Sequence, residues 1–188
     1  MDDIVKAAMI KWPNVPHCYG WLALDARGHW YLRDAPTQAA GPFPLVKGSL
    51  IEHEKLKAFI HRNYAADERG AWFFQNGPQR VYVQLELAPL VLGVRRLSDD
   101  EHDTRGTGLE LQTHTGRDVS EVLSCWLDEH GHLYLLTDAG LGVVRSMDMA
   151  TAADAVADGV WGEPQDLAFV DMPDRFGFVR EPLPPSEG

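Results

Sequence analysis

Asp128-Glu129-His130-Gly131-His132-Leu133-Tyr134-Leu135 is the stretch from which the fold is read, because its pattern occurs three times along the chain. Asp25-Ala26-Arg27-Gly28 runs into His29-Trp30-Tyr31-Leu32, and Asp67-Glu68-Arg69-Gly70 runs into Ala71-Trp72-Phe73-Phe74. Asp at the first position of a type I turn accepts a hydrogen bond from a nearby backbone N–H. Gly three residues later supplies the positive φ that closes a bulged hairpin. Strand-like runs precede the first and third turns, Cys18 to Leu24 and Val122 to Leu127, so hairpins are expected there. The middle turn follows a helical stretch and reads as either a hairpin or a helix-to-strand turn.

Working outward, Asn76-Gly77-Pro78 is a further tight turn. The strand after it has Val81, Val83, Leu85 and Leu87 alternating with Arg80, Tyr82, Gln84 and Glu86. Leu109 and Leu111 mark a shorter strand. Met1, Ile4, Val5, Ala8, Met9 and Trp12 share a helical face that ends before Pro13. Ser49-Leu50-Ile51-Glu52 fits a capping box opening a second helix through Leu56, Phe59 and Ile60. A third helix begins near Asp148 or Thr151, carries Met149, Ala152, Ala153, Val156 and Ala157 on one face, and stops at Gly159. Residues 36–48 and 98–108 read as loops, and residues 181–188 as a flexible tail.

The order of these features repeats. Gly28-His29-x-Tyr31-Leu32, a helix, Gly70-x-Trp72 and Pro78-Gln79 are matched by Gly131-His132-x-Tyr134-Leu135, a helix, Gly159-x-Trp161 and Pro164-Gln165. The expected fold is therefore α+β: antiparallel hairpins with few helices, as two diverged tandem β-β-α-β-β units over residues 17–97 and 121–180 sharing one core. A unit of that size buries little core and is marginal alone, and pairing two would remove the deficit. One globular domain over residues 1–180 is expected.

The chain has 188 residues, with 17 Lys and Arg against 28 Asp and Glu, a formal net charge of −11. That balance argues against sequence-independent binding to nucleic acid or anionic membrane, both of which need clustered basic side chains. No apolar run approaches a membrane span, and the start Met1-Asp2-Asp3-Ile4 lacks the basic opening of a secretion signal, so a cytoplasmic location is expected. Cys18 and Cys125 offer no disulfide framework.

Candidate chemistry is sparse. His130 and His132 straddle a turn and are weak candidates for a metal, without the Cys or His companions of a known zinc motif. His53 is expected beside the apolar stripe of the second helix and His61 facing away from it. Cys125 reads as a core residue, and no Gly-x-Ser-x-Gly elbow or phosphate loop is present. The three turn aspartates are accounted for by backbone bonding. Under duplication, His29 pairs with His132, Tyr31 with Tyr134 and Trp72 with Trp161, and these six are the candidate ligand-binding residues, since pockets favour interfaces between units.

The run Gly70 to Val94, with Gln75–Val83 its most distinctive part, together with Trp12-Pro13-Asn14-Val15-Pro16 and Gly20-Trp21, resembles an uncharacterised proteobacterial family of unknown function. The resemblance implies a bacterial cytosolic protein, no established reaction and no catalytic residue. The expected function is a non-catalytic module binding an unknown small molecule or protein, with a homodimer possible and no cofactor predicted. The alternative is a small metal-assisted or acid–base hydrolase using His29 and His132. A phosphometabolite sensor would require Arg105 or Arg117 to line a cleft.

Overall fold

The structure, a computed structural model, describes residues 1–98, 103 and 106–185. Arg105 and His102 lie outside the described residues. Two compact units emerge: Met1–Asp25 with His29–Leu87 and the stretch from Gly177 onward, and Ala26–Gly28 with Ala88–Phe176.

The first unit is built on a six-stranded sheet. Strands β1 (Cys18–Leu24) and β2 (Trp30–Leu32) form the first hairpin, and β3 (Ser49–Leu50) adds to β2 at the sheet edge. Strands β4 (Tyr64–Ala66), β5 (Trp72–Asn76) and β6 (Gln79–Leu85) form an antiparallel meander, and β6 lies parallel to β1. The Asp67 turn is thus a hairpin, joining β4 to β5. Helix α1 (Asp3–Lys11) precedes the sheet; α2 (Ala35–Ala40) and α3 (Glu54–Arg62) fall within it. One face of the sheet carries Leu22, Leu24, Trp30, Val83 and Phe74, and α3 covers it with Ile60 and Phe59.

The second unit carries β7 (Leu90–Arg96), β8 (Leu109–Thr113), β9 (Val122–Leu127), β10 (Leu133–Thr137), β11 (Gly140–Val144) and β12 (Gln165–Asp166) in one six-stranded sheet. Helix α4 (Met149–Ala157) buries Ala152 and Ala155 against a core of Leu92, Val94, Leu109, Leu111, Leu133 and Leu135. A short helix, α5 (Met172–Phe176), brings Phe176 edge-on to Trp126.

The two sheets share a topology. In each, a hairpin (β1–β2; β7–β8) is followed by a three-strand meander (β4–β5–β6; β9–β10–β11), and the first strand of the hairpin pairs in parallel with the last of the meander. Both sheets are therefore mixed, and two similar sheets fit a tandem duplication. The repeat has a different register from the one the turn motifs imply. Strand order equates the β4–β5 turn, Asp67 to Gly70, with the β9–β10 turn, Asp128 to Gly131. His29 follows the β1–β2 turn, so it is not the counterpart of His132. Trp72 lies in β5, whereas Trp161 lies in a turn after α4. Residues 90–96, read as the end of the first unit, form β7 of the second sheet, and Val179 and Arg180 return to bond Gly70 and Leu85 of the first.

Local chemistry explains the other departures. Ser49 and Leu50 pair with Leu32 and Tyr31 as an edge strand, and α3 starts after His53, whose ring accepts the Leu56 amide as an N-cap. Asp34, accepting the Thr37 amide, with Pro36 behind it, opens α2 in a stretch read as loop. Helix α1 buries Val5 alone and leaves Ile4 and Ile10 exposed. His61 does not face away: its Nε2 accepts the Trp30 indole N–H at 3.0 Å.

The equivalent turns separate conformational strain from crowding. Gly70 and Gly131 have φ of +77° and +80°. A Cβ at Gly70 would stand 2.0 Å from the Gly177 carbonyl oxygen, while one at Gly131 meets nothing within 4 Å. Gly131→Ala is expected to cost about 1 kcal/mol from left-handed strain alone. Gly70→Ala is expected to cost clearly more, because backbone must move; urea unfolding midpoints of the two variants check the order.

Candidate functional site

Each of the three turn aspartates is sunk beneath its hairpin, and each does two jobs. One carboxylate oxygen closes the turn: Asp25 accepts the His29 amide, Asp67 those of Arg69 and Ala71, and Asp128 those of His130 and His132, all at 2.8–3.0 Å. The other oxygen receives a tyrosine hydroxyl: Tyr31 on Asp25 at 3.3 Å, Tyr82 on Asp67 at 3.0 Å and Tyr134 on Asp128 at 3.0 Å. The backbone role is the one the sequence assigns. The tyrosine role is not, and for Asp67 it is supplied from β6, because Phe73 holds the place that Tyr31 and Tyr134 hold in the other two turns.

These contacts gather the sequence candidates into two separate clusters. In the first unit Asp25 holds Tyr31 and lies 3.5 Å from His29 Nδ1, while Lys47 Nζ reaches both Asp25 and Glu86, at 3.1 and 3.2 Å. In the second unit Asp128 holds Tyr134 and meets His132 Nδ1 at 2.8 Å. His130 lies beside Glu129, at 3.4 Å, with its ring 6.0 Å from that of His132. Among the described residues no group of three His, Cys, Asp or Glu side chains is arranged to hold a metal ion. Trp72 packs on Tyr64, and Trp161 lies against the second unit's core, so neither joins a histidine cluster. Arg117 reaches Asp138, at 3.3 Å from its carbonyl oxygen, on the surface of the second unit.

Burial pushes the Asp128 carboxyl up, yet the His132 amide, the His132 ring and the Tyr134 hydroxyl together hold it below its ordinary 3.8. The same balance lowers Asp67. Burial raises both thiols, Cys125 to about 11, so neither has the lowered pKa of a reactive nucleophile.

Among the described residues each unit has a hollow, and none of the six sequence-predicted ligand residues lines either one. One, of about 400 Å³, lies in the second unit between Leu127–Glu129 and Asp166–Ala168. The other, of about 230 Å³, lies in the first unit between the sheet and α3. Its wall is Cys18, Trp21, Leu22, Leu32, Val81 and Phe74 from the sheet, Ile51 and Asn76 from its ends, and Leu56 and Ile60 from α3. Trp21, Leu32 and Leu56 remain 40%, 47% and 41% exposed. Sequence reading missed this hollow because its members come from six separate segments. Trp21, Leu32 and Leu56 read individually as ordinary strand and helix residues.

The profile of a family described as "Protein of unknown function (DUF2946)" matches residues 1–183. The chain belongs to that family. The expected family with no established reaction is what the match supports. No curated protein matches the sequence. Two solved structures are similar to it. A DUF1285 family protein from Shewanella baltica OS155 shares 17% identity over 72% of this chain and 91% of its own, with a TM-score of 0.45. A DUF1285 family protein from Silicibacter pomeroyi DSS-3 shares 14% identity over 75% of this chain and 72% of its own, with a TM-score of 0.49. No described helix is long and apolar enough to cross a membrane.

Asp128→Ala removes an acceptor from two amides, an imidazole and a phenol at once. It is expected to cost about 3 kcal/mol of stability in urea unfolding, since stranding buried donors costs roughly 1–3 kcal/mol each, with partial rescue by water. Because the folded state lowers this carboxyl, its stabilisation is whole above pH 3.8 and is lost as pH falls below it. Stability measured from pH 5 down to 2 is expected to fall less steeply in the variant than in the wild type.

Proposed function

We propose that the protein is a non-catalytic binding module whose first unit takes an extended peptide segment, placing one bulky apolar side chain in the hollow under α3. One observation carries the reading: an apolar hollow with partly exposed walls lies beside an edge strand. Leu32 of its wall pairs with Ser49 of β3, and Ile51, also of its wall, directly follows β3. Strand β3 has β2 as its one neighbour in the described sheet. An incoming strand gains main-chain hydrogen bonds at such an edge, and a neighbouring pocket supplies side-chain selectivity. The hollow, at about 230 Å³, falls below the roughly 300–1,000 Å³ of small-molecule sites and suits a single anchoring side chain. A cytosolic workplace is part of this reading, supported by two cysteines that are both free.

Selection from a phage-displayed library of linear dodecapeptides tests it. Strand-forming sequences with one Leu, Ile, Phe or Trp are expected to be enriched. The selected peptide should shift amide resonances of residues 49–51 and 54–60, and both Leu32→Glu and Leu56→Glu should weaken it at least tenfold. Resonance shifts confined to residues 127–129 and 166–168, or no enrichment, would overturn the reading. Self-association of the peptide-free chain that Leu32→Glu abolishes would identify the strand donor as a second copy.

The hydrolase reading has one observation in its favour. Asp128, fully buried, orients the partly exposed His132 through Nδ1, the relation of an orienting carboxylate to a general base. On that reading, turnover of p-nitrophenyl acetate above buffer falls at least tenfold in His132→Gln. Equal rates in the two proteins dismiss it.

A further inference from the structure

Trp30 is fully buried in β2, and its indole N–H points at His61 Nε2 across 3.0 Å. An indole nitrogen only donates, so the ring nitrogen facing it has to accept and must be unprotonated. Helix α3, which carries His61, also carries Leu56 and Ile60 of the hollow's wall. The histidine thus ties the helical side of the hollow to the sheet that forms its floor. Protonation would set one N–H against another in a part-buried contact, and the tie would have to open.

We propose that His61 is a proton-controlled latch on α3: neutral, it holds the helix against Trp30; protonated, it releases the helix wall and opens the hollow beneath. This rests on the proposed peptide site for its use, but not for its physics. The surroundings favour the neutral ring. Burial disfavours its cation, Lys57 on the same helix adds to that, and Glu54 opposes both, leaving its pKa below the ordinary 6.5. From the sheet side His61 faces the uncharged indole, behind which stands Tyr64, edge-on to Trp30 at 5.2 Å and kept un-ionised by burial. A histidine held neutral by folding keeps its stabilisation above pH 6.5 and loses it as pH falls below, so α3 loosens on the acid side.

Cys18 lines the same hollow and reports its opening without any peptide. The test is the rate of N-ethylmaleimide labelling at Cys18, localised by peptide mass spectrometry, in wild type and His61→Gln between pH 7.5 and 5.5. Glutamine offers an amide oxygen to the indole but does not titrate in this range. Dividing the two rates at each pH removes the intrinsic pH dependence of the thiol. The ratio of wild type to variant is expected near one at pH 7.5 and to rise at least threefold by pH 5.5. A flat ratio overturns the latch. Hydrogen exchange of residues 54–62 in the wild type gives a second reading that does not depend on the variant. Exchange that speeds over the same pH range relative to residues 81–85, beyond the chemical rate, supports the latch, and parallel behaviour of the two segments overturns it. Failure of the peptide selection with a rising labelling ratio removes the ligand reading and leaves the latch standing.

Discussion

A carboxylate buried at a hairpin turn is the constraint on which both sheets depend. Taking a charge out of water is expensive unless hydrogen bonds replace its hydration, and each of these turns replaces it from within. The backbone amides come from the turn itself, so they are present whenever the turn is formed. The tyrosine hydroxyl comes from a neighbouring strand position, so it is present only when the strands are in register. Asp128 with Tyr134, Asp25 with Tyr31, and Asp67 with Tyr82 therefore couple turn geometry to strand pairing. A slip of one residue would turn each tyrosine to the other face and take one hydrogen-bond donor from a buried carboxylate. The hairpins are specified by a polar contact as much as by their apolar faces.

How much of this was legible follows from the range of the interactions involved. The turns were, because an Asp and a Gly three apart satisfy local backbone demands that hold whatever surrounds them. Helix α4 was, because its small residues recur on one face. Strand β3 was not. Ser49 to Glu52 satisfies the local grammar of a helix start, but Leu32 and Tyr31 offer hydrogen bonds from a strand seventeen or so residues earlier in the chain, and pairing wins over a cap. The parallel pairings β1 with β6 and β7 with β11 were not legible either, since no local signal distinguishes parallel from antiparallel neighbours once a strand is buried. That single omission shifted the repeat. Matching turns by residue similarity put Gly28-His29 beside Gly131-His132, whereas matching strands by partner puts Gly70 beside Gly131.

The candidate site was legible in its polar part and invisible in its apolar part, for the same reason. His29, Tyr31, His132 and Tyr134 stand within a few residues of the aspartates that hold them, so one short motif displays each cluster. Trp21, Leu32, Ile51, Leu56 and Phe74 meet only after two hairpins and a helix have packed. Their exposure, unlike their identity, is a property of that packing.

That contrast bears on where function lies. A polar cluster whose carboxylate is committed to two amides, a ring nitrogen and a phenol has little capacity left for a ligand, and disturbing it disturbs the strands. The hollow under α3 has the opposite character. Its wall is apolar, part of it faces solvent, and one side is a nine-residue helix, α3, with Ile60 as its only fully buried residue. Elements that must admit a partner are drawn from the less stable parts of a fold, because opening a well-packed element costs nearly the whole stability of the unit. The aspartate hairpins fix the strands in register; α3 is held to the sheet by Ile60, by Phe59 edge-on to Phe74 and by the His61 bond to the Trp30 indole.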